Sequence, residues 1–247
     1  LVQMANHRLY ADAALAARVP VVIERTDGLR GGAALNPKHG LDAVIASTKG
    51  TISHIEKLID KDKIHLIYNG VDIERFEKVE PERFGFSPED IIIGRISRLV
   101  GGKYLSLLIQ AVINLRKDPA YQHVRLVICG GDTTQSGSHP MLEKYKKQAA
   151  QLGDSAVFTG EVFDPYPIIK GFDIATCTSL PGNEGIPNSL IEPMAAGKPV
   201  VSTDVDDIPE LVIHGENGLL VPSNNLPEFT AALKLSLIHI SEPTRPY

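Results

Sequence analysis

Two basic side chains and two adjacent glycines follow one of the apolar runs of the sequence. Arg98 and Lys103 flank Gly101 and Gly102 within the stretch Gly94–Lys103, just before a segment of helical period. Backbone amides beside glycine can approach an anion closely, and two cations on one loop can neutralise it. The stretch is neither a P-loop nor the three-glycine fingerprint of dinucleotide folds. It indicates a diphosphate site, although unrelated surface cations explain the same spacing about equally well.

Two glutamates separated by seven residues, Glu184 and Glu192, surround the predicted start of a helix. Asn188 and Ser189 are good N-caps, and Pro193 is tolerated only near a first turn, so we predict a helix that begins close to Ser189. Glu184 would then lie on the entry loop and Glu192 on the opening turn. Helix-start amides favour phosphate, and carboxylates accept hydrogen bonds from sugar hydroxyls. On spacing alone, a helix-dipole partner and a solvated loop residue remain the simpler interpretation.

The elements that must position these residues alternate between Val/Ile-rich runs and segments of helical period. The predicted strands are Val21–Ile23, Ala43–Ala46, Ile64–Tyr68, Ile91–Ile96, Arg125–Cys129, Ala156–Thr159, Ile174–Thr178 and Pro199–Ser202. The predicted helical segments are Tyr104–Arg116, Met141–Leu152, Ser189–Ala196 and Asp207–Ile213. This alternation predicts a doubly wound α/β fold with parallel sheets, in which ligands bind at the carboxyl ends of strands.

The composition is that of a globular protein, with 43% hydrophobic and 22% charged residues among 247. A formal net charge of −5 gives no case for binding nucleic acid or an anionic membrane through the overall field. Cys129 and Cys177 lie inside apolar runs and predict buried thiols in a reducing compartment. No apolar stretch approaches the ~20 residues that span a bilayer. We therefore expect a cytoplasmic protein.

Three stretches together resemble one family. NEGIPNSLIEPMAAGKPVVSTDVDDIPELVIHGENGLLVP, KIHLIYNGVDIERF and IGRISRLVGGKYLSLLIQA resemble the signature, interdomain linker and diphosphate loop of glycosyltransferase family 4. The resemblance runs from about Ala43 to Lys234 and implies a GT-B fold of two Rossmann-like domains, the N-terminal one incomplete. It makes residues 1–71 a remnant of the acceptor-binding domain and 72–234 the donor-binding domain. Residues 235–247 look like the translation of a sequencing adapter and are expected to be non-native, a genuine tail being the alternative.

The resemblance also implies roles for the residues singled out above. Arg98 and Lys103 would neutralise the diphosphate of the donor, and Glu192 would hold the ribose hydroxyls. Glu184, the catalytic position, would hold the transferred sugar and orient its anomeric carbon. Further donor-binding residues would be Gly185, Ile186, Asn188 and Ser189, together with Val162 in the loop that receives the base. No metal or other cofactor is required, because cations and helix amides take its place.

The implied function is that of a retaining, metal-independent glycosyltransferase, which moves a sugar from a nucleotide-diphosphate sugar to an acceptor hydroxyl. The acceptor is a glycan, a lipid or a small molecule, and peripheral membrane association through the missing N-terminal part is left open. The fragment itself is expected to be inactive. Alternatives are a GT-B phosphorylase or epimerase and a non-catalytic nucleotide-sugar-binding or scaffolding relative. A dehydrogenase is disfavoured because the glycine fingerprint is missing.

The sequence departs from the family pattern at two places. Where relatives commonly carry two glycines, this chain has Asp206 and Asp207, which casts doubt on any contact that needs close backbone approach and adds repulsion toward a diphosphate. Arg25 or Thr26 stands where many relatives have a histidine. Asp132 follows a strand but is expected to cap or turn the chain. The histidines have no metal-ligand spacing and are expected to be structural, with the role of His7 left open.

Overall fold

A computed structural model describes residues 22–25, 42–57, 59–132 and 140–241, the first range and Ser241 by backbone alone. The chain divides into two compact units. The first unit comprises Leu1–Gly70, Gly182–Pro187 and Asp206–Leu211, and the second comprises Val71–Pro181, Asn188–Val205 and Val212–Tyr247. The predicted domain roles and the non-native origin of 235–247 stay predictions.

In the described part of the first unit, three parallel strands pair in the order β1-β2-β3. Their bounds are Val22–Arg25 for β1, Ala43–Ala46 for β2 and Ile64–Leu66 for β3, and helix α1 spans Lys49–Ile55. Helix α1 begins after Thr48, whose hydroxyl accepts from the Thr51 amide at 2.8 Å as an N-cap. Val44, Ala46, Ile55 and Ile59 form the small core between sheet and helix.

The second unit is built on six parallel strands in the order β6-β5-β4-β7-β8-β9. The strands are β4 Ile91–Ile96, β5 Val124–Cys129, β6 Ala156–Gly160, β7 Ile174–Cys177, β8 Val200–Asp204 and β9 Leu219–Pro222. The helices are α2 Ile73–Glu77, α3 Leu105–Leu115, α4 Pro140–Gln148, α5 Tyr166–Gly171, α6 Asn188–Ala195 and α7 Leu226–Ser241. If the strands of this unit are numbered from 1 to 6 in chain order, they lie side by side in the order 3-2-1-4-5-6, which is that of a Rossmann sheet. The strand order reverses between the first and the fourth strand, while all strands stay parallel.

The core of the second unit lies between the sheet and two long helices. Helix α3 buries eight of its eleven residues, because it packs on the sheet with one side and on α7 with another. From α7, Phe229, Leu233 and Leu237 enter the same core. Burial of this kind stabilises by about 1.5–3 kcal/mol for each large apolar side chain. No helix within the described residues is both long and apolar enough to cross a bilayer.

Most predicted strands are found within two residues of their predicted bounds, and the differences have local causes. The predicted helix Asp207–Ile213 is wrong: the structure has a 3-10 turn at Ile208–Glu210, in which the amides of Glu210 and Leu211 reach back only three residues. The predicted helix Met141–Leu152 ends at Gln148 and continues as 3-10 turns. Strand β9 and the helices α1, α2, α5 and α7 were not predicted.

Two glycines let neighbouring segments approach the centre of this sheet. A Cβ at Gly94 in β4 would meet the Phe172 ring at 2.3 Å, and a Cβ at Gly130 would meet the Ser97 carbonyl oxygen at 1.9 Å. Gly130 also has a φ of 141°, which side-chain-bearing residues rarely adopt. Phe172 can therefore pack on β4, and the chain after β5 can lie against Ser97, because Gly94 and Gly130 lack a side chain.

We predict that Gly130→Ala destabilises the second unit by about 2–5 kcal/mol, because backbone strain and a clash with the Ser97 carbonyl add together. Thermal unfolding of the purified protein measures the change. Gly70→Ala is the matched control, since a Cβ at Gly70 meets nothing within 4 Å. Equal midpoints for the two variants would contradict the close approach.

Candidate functional site

The centre of the second unit's sheet is its switch point, where β4 and β7 lie side by side. Their pairing aligns Ile93 with Ile174 and Gly94 with Ala175. The chain leaves β4 toward α3 and leaves β7 toward α6, so the two following loops diverge and a crevice forms at the carboxyl ends. Both motifs that the sequence singled out follow these two strands.

The loop after β4 is held by backbone bonds on the side of β5. Ser97 donates its amide to the Cys129 carbonyl and Leu99 donates to the Gly131 carbonyl, each at 2.9 Å. Gly101–Lys103 then forms a 3-10 turn before α3. Within this loop Arg98 is exposed and Lys103 is half-buried. The loop thus has a fixed backbone and carries the two cations that the sequence predicted for a diphosphate.

The chain after β7 contacts that loop directly. Thr178 donates its hydroxyl to the Lys103 carbonyl at 2.9 Å, and Leu180 donates its amide to the Gly102 carbonyl at 2.9 Å. Thr203 of β8 donates to the Ser179 carbonyl at 2.8 Å. Thr178, Ser179 and Thr203 are buried, and these hydrogen bonds join the carboxyl ends of three strands.

Arg95, which the sequence did not single out, lies beneath this edge with 1% of its surface exposed. Its guanidinium donates to the Thr176 carbonyl at 2.9 Å, to the Ser189 hydroxyl at 3.2 Å and to the Ser179 hydroxyl at 3.4 Å. It therefore connects β4 to β7 and to the start of α6. A charged residue in the middle of the apolar run IIIGRI was the signal that could have identified it.

Helix α6 begins at Asn188, one residue before the predicted start, and it contains Pro193. Asn188 is exposed and Ser189 is half-buried. Glu192 is the fifth residue of the helix, so it lies on the second turn and the predicted position on the opening turn is wrong. Burial raises the pKa of the Glu192 carboxyl, and the Arg75 guanidinium offsets part of the rise.

Arg75 lies in a small polar and aromatic cluster of the second unit. Its guanidinium makes an ion pair with Asp164 at 3.1 Å and lies over the Tyr166 ring at 4.4 Å from the centroid. These partners fix the cation whose charge acts on Glu192.

Val162 is half-buried in the loop after β6, which is two strands away from β4. The loop lies at the carboxyl end of the sheet, and Phe163 beside Val162 is fully exposed.

The predicted residues Glu184, Gly185 and Ile186 belong to the first unit and are half-buried. Hydrogen bonds to Asp206 hold the start of the segment that contains them. The Asp206 carboxylate accepts from the amides of Gly182 at 2.6 Å, Asn183 at 2.9 Å and Glu184 at 2.9 Å. The backbone of Glu184 is thus fixed by a side chain that comes from a distant part of the sequence.

The neighbouring acidic residues of the first unit contact α1. Glu210 accepts from the amides of Lys49 at 3.0 Å and Gly50 at 2.9 Å, and so caps the start of this helix. Asp207 is packed so closely that a Cβ at Gly50 would meet its carboxylate at 1.9 Å. Burial raises the pKa of Asp207, while a hydrogen bond with Thr48 lowers it.

Asp132 and one of the histidines, His214, have structural contacts. Asp132 accepts from the amides of Met141 at 2.9 Å and Leu142 at 3.1 Å and so caps α4. His214 accepts from the Leu220 amide at 3.0 Å. Among the described residues, no three His, Cys, Asp or Glu are grouped as metal ligands. The side chains discussed at positions 7, 25, 26 and 39 lie outside the described residues.

The second unit is thus a Rossmann-type α/β unit with a cationic loop at the switch point of its sheet. Residues 90–238 match the model of the family glycosyl transferases group 1. Because this match covers more than half of the chain, the protein belongs to that family. The predicted family is confirmed.

Similar proteins support the same assignment. An uncharacterized glycosyltransferase of Methanocaldococcus jannaschii is 30% identical over 196 residues, which are 76% of this chain and 47% of that protein. Alpha-maltose-1-phosphate synthase of Mycolicibacterium smegmatis is 29% identical over 195 residues, 73% of this chain and 48% of that protein. The chain thus spans about half the length of the curated relatives it matches.

The solved structure of Anabaena HepE in complex with UDP-glucose superposes with a TM-score of 0.79. The identity is 24%, and the match covers 94% of this chain and 66% of that one. This similarity shows the fold, and with the sequence relatives it confirms the predicted α/β class of GT-B type.

We predict that Glu192→Gln removes a pH-dependent cost of folding. A carboxyl whose pKa is raised in the folded state contributes most to the stability of the fold when the pH is below its usual pKa, near 4.5. This contribution is lost as the pH rises through the pKa of the folded state. The glutamine variant keeps the neutral form at every pH. Its thermal midpoint relative to wild type should therefore rise between about pH 4 and about pH 7.

Glu89→Gln, which makes the same change of charge at an exposed position, serves as the control. A pH-independent difference between Glu192→Gln and wild type would show that burial does not raise the pKa of Glu192.

Proposed function

We propose that the full-length protein is a retaining glycosyltransferase which transfers a sugar from a nucleotide-diphosphate sugar to an acceptor hydroxyl. The observation that carries the proposal is the switch point of the second unit. There the loop of Arg98 and Lys103 is hydrogen-bonded to the chain that leaves β7 toward Glu184 and Glu192. Membership of the glycosyl transferases group 1 family supports the reaction type.

In this proposal the second unit binds the nucleotide part of the donor. Arg98 and Lys103 face the diphosphate and neutralise the charge that grows as the sugar–phosphate bond breaks, without a metal ion. Glu192 accepts hydrogen bonds from the ribose hydroxyls in its ionised form. The base is received near Val162, at the carboxyl end of β6.

Glu184 then acts on the transferred sugar, whose hydroxyls donate to its carboxylate and whose anomeric carbon is turned toward the acceptor. Gly185, Ile186, Asn188 and Ser189 contribute the surrounding amides. The leaving phosphate helps to deprotonate the acceptor on the same face of the sugar, so that configuration is retained.

We expect one nucleotide of the set UDP, GDP and ADP to stabilise the full-length protein against heat. At a hundredfold excess over its dissociation constant, such a ligand contributes about 2.7 kcal/mol. Glu192→Ala should reduce this effect because the ribose loses its acceptor, and Arg98→Met should weaken diphosphates more than the corresponding monophosphates. Thermal shift and calorimetric titration measure both effects.

Lys117→Met, which removes an exposed cation beyond the end of α3, is the matched control and should bind like wild type. If a folded protein responded to none of the three diphosphates, the donor site would not exist. A normal response together with full activity after replacement of both glutamates would instead favour a non-catalytic binding or scaffolding relative.

We further expect the 247-residue chain to transfer sugar at least about a hundredfold more slowly than the full-length protein, since reactants that are not held together lose at least this factor. Donor hydrolysis and transfer to supplied acceptors can be followed by proton NMR, which also reports the anomeric configuration. An inverted product would contradict the proposed mechanism, and equal rates would contradict the need for the missing part.

A further inference from the structure

One carboxylate in the first unit receives three consecutive backbone amides. Gly182 donates to Oδ1 of Asp206 at 2.6 Å, and Asn183 and Glu184 both donate to Oδ2 at 2.9 Å. The donors are 22 to 24 residues away in the sequence, so the contact joins two separate loops. Three amides converging on one anion form a strong charge-assisted arrangement even where it is exposed.

The backbone of Asp206 is strained in order to reach these amides. Its φ is 51°, in the left-handed region that glycine adopts freely and that other residues occupy at a cost. A strained position persists only where its surroundings hold it. Here the three amides do so, which explains how an aspartate can occupy this backbone position.

The Asp206 carboxylate contacts the backbone of Glu184, the residue that the proposed function makes catalytic. The amide of Glu184 is itself one of the three donors, so the carboxylate fixes the Cα position from which the Glu184 side chain starts. Gly182, with a φ of 72°, makes the turn that directs successive amides toward one point.

We propose that Asp206 is a positioning residue for Glu184: its carboxylate holds the loop Gly182–Glu184 so that the Glu184 carboxylate meets the transferred sugar of the donor. This inference rests on the proposed function. It also implies that two anions are bound by different groups. The amides of Gly182–Glu184 bind the Asp206 carboxylate, whereas Arg98 and Lys103 bind the donor diphosphate.

The experiment compares binding of the donor with binding of the nucleotide alone. The full-length protein is titrated calorimetrically with UDP and UDP-glucose, or with GDP and GDP-mannose or ADP and ADP-glucose if guanine or adenine is the base selected. The quantity compared is the dissociation constant of the nucleotide sugar divided by that of the nucleotide. Only the sugar contacts Glu184, so the ratio reports its position, whereas general damage to the fold weakens both ligands together.

For Asp206→Gly we expect unchanged nucleotide binding and a ratio raised about tenfold, the loss of one charge-assisted hydrogen bond to the sugar. Glycine accepts the backbone angle, so the variant should fold. Asp206→Asn should fall between it and wild type, because its carbonyl oxygen can still accept from Asn183 and Glu184. Asp204→Asn, which removes an exposed carboxylate two residues away, should leave the ratio unchanged.

A double-mutant cycle links the two residues. Glu184→Gln should raise the ratio, and adding Asp206→Gly to it should raise the ratio little further, because the position of a lost carboxylate no longer matters. The inference is overturned if Asp206→Gly keeps the wild-type ratio, weakens both ligands equally, or adds its full effect to that of Glu184→Gln. If Glu184→Gln itself leaves the ratio unchanged, the proposed role of Glu184 fails, which is a different result.

Discussion

The pairing of β4 with β7 is the constraint on which the site of the second unit depends. Among the described strands of this sheet, β4 is followed by a strand on one side of the pair and β7 by a strand on the other side. The cationic loop and the segment leading to α6 therefore both start at this pair. The buried Arg95 strengthens this pairing, because its guanidinium satisfies acceptors on β7 and on the start of α6. A guanidinium suits this position, since its fixed fork of donors serves several acceptors at once.

Carboxylates that accept from distant backbone amides recur in both units. Asp132 caps α4, Glu210 caps α1 and Asp206 holds the loop of Glu184. In each case a charged acceptor satisfies amides that a helix start or an irregular loop leaves without a backbone partner. Of these three contacts, the one made by Asp206 holds a segment that carries a predicted site residue, Glu184.

The two aspartates at 206 and 207 illustrate how a departure from a family pattern can be accommodated. From the sequence, both aspartates were expected to add negative charge that repels a diphosphate. In the structure Asp206 is neutralised in effect by three amide dipoles, while Asp207 is packed against α1 with a pKa raised by burial. The two residues therefore act within the first unit in different ways, one through its carboxylate oxygens and the other through close packing.

The sequence by itself determined the class of fold and the position of most strands, because apolar periodicity and β-branched composition are local properties. It also located the cationic loop and the two glutamates, since these motifs are contiguous. Only the tertiary structure decided that β4 and β7 are neighbours, that Arg95 is buried beneath the site and that Asp206 holds Glu184. These features join residues about 20 to 90 positions apart, and no local pattern encodes which distant partner will satisfy a given amide or guanidinium.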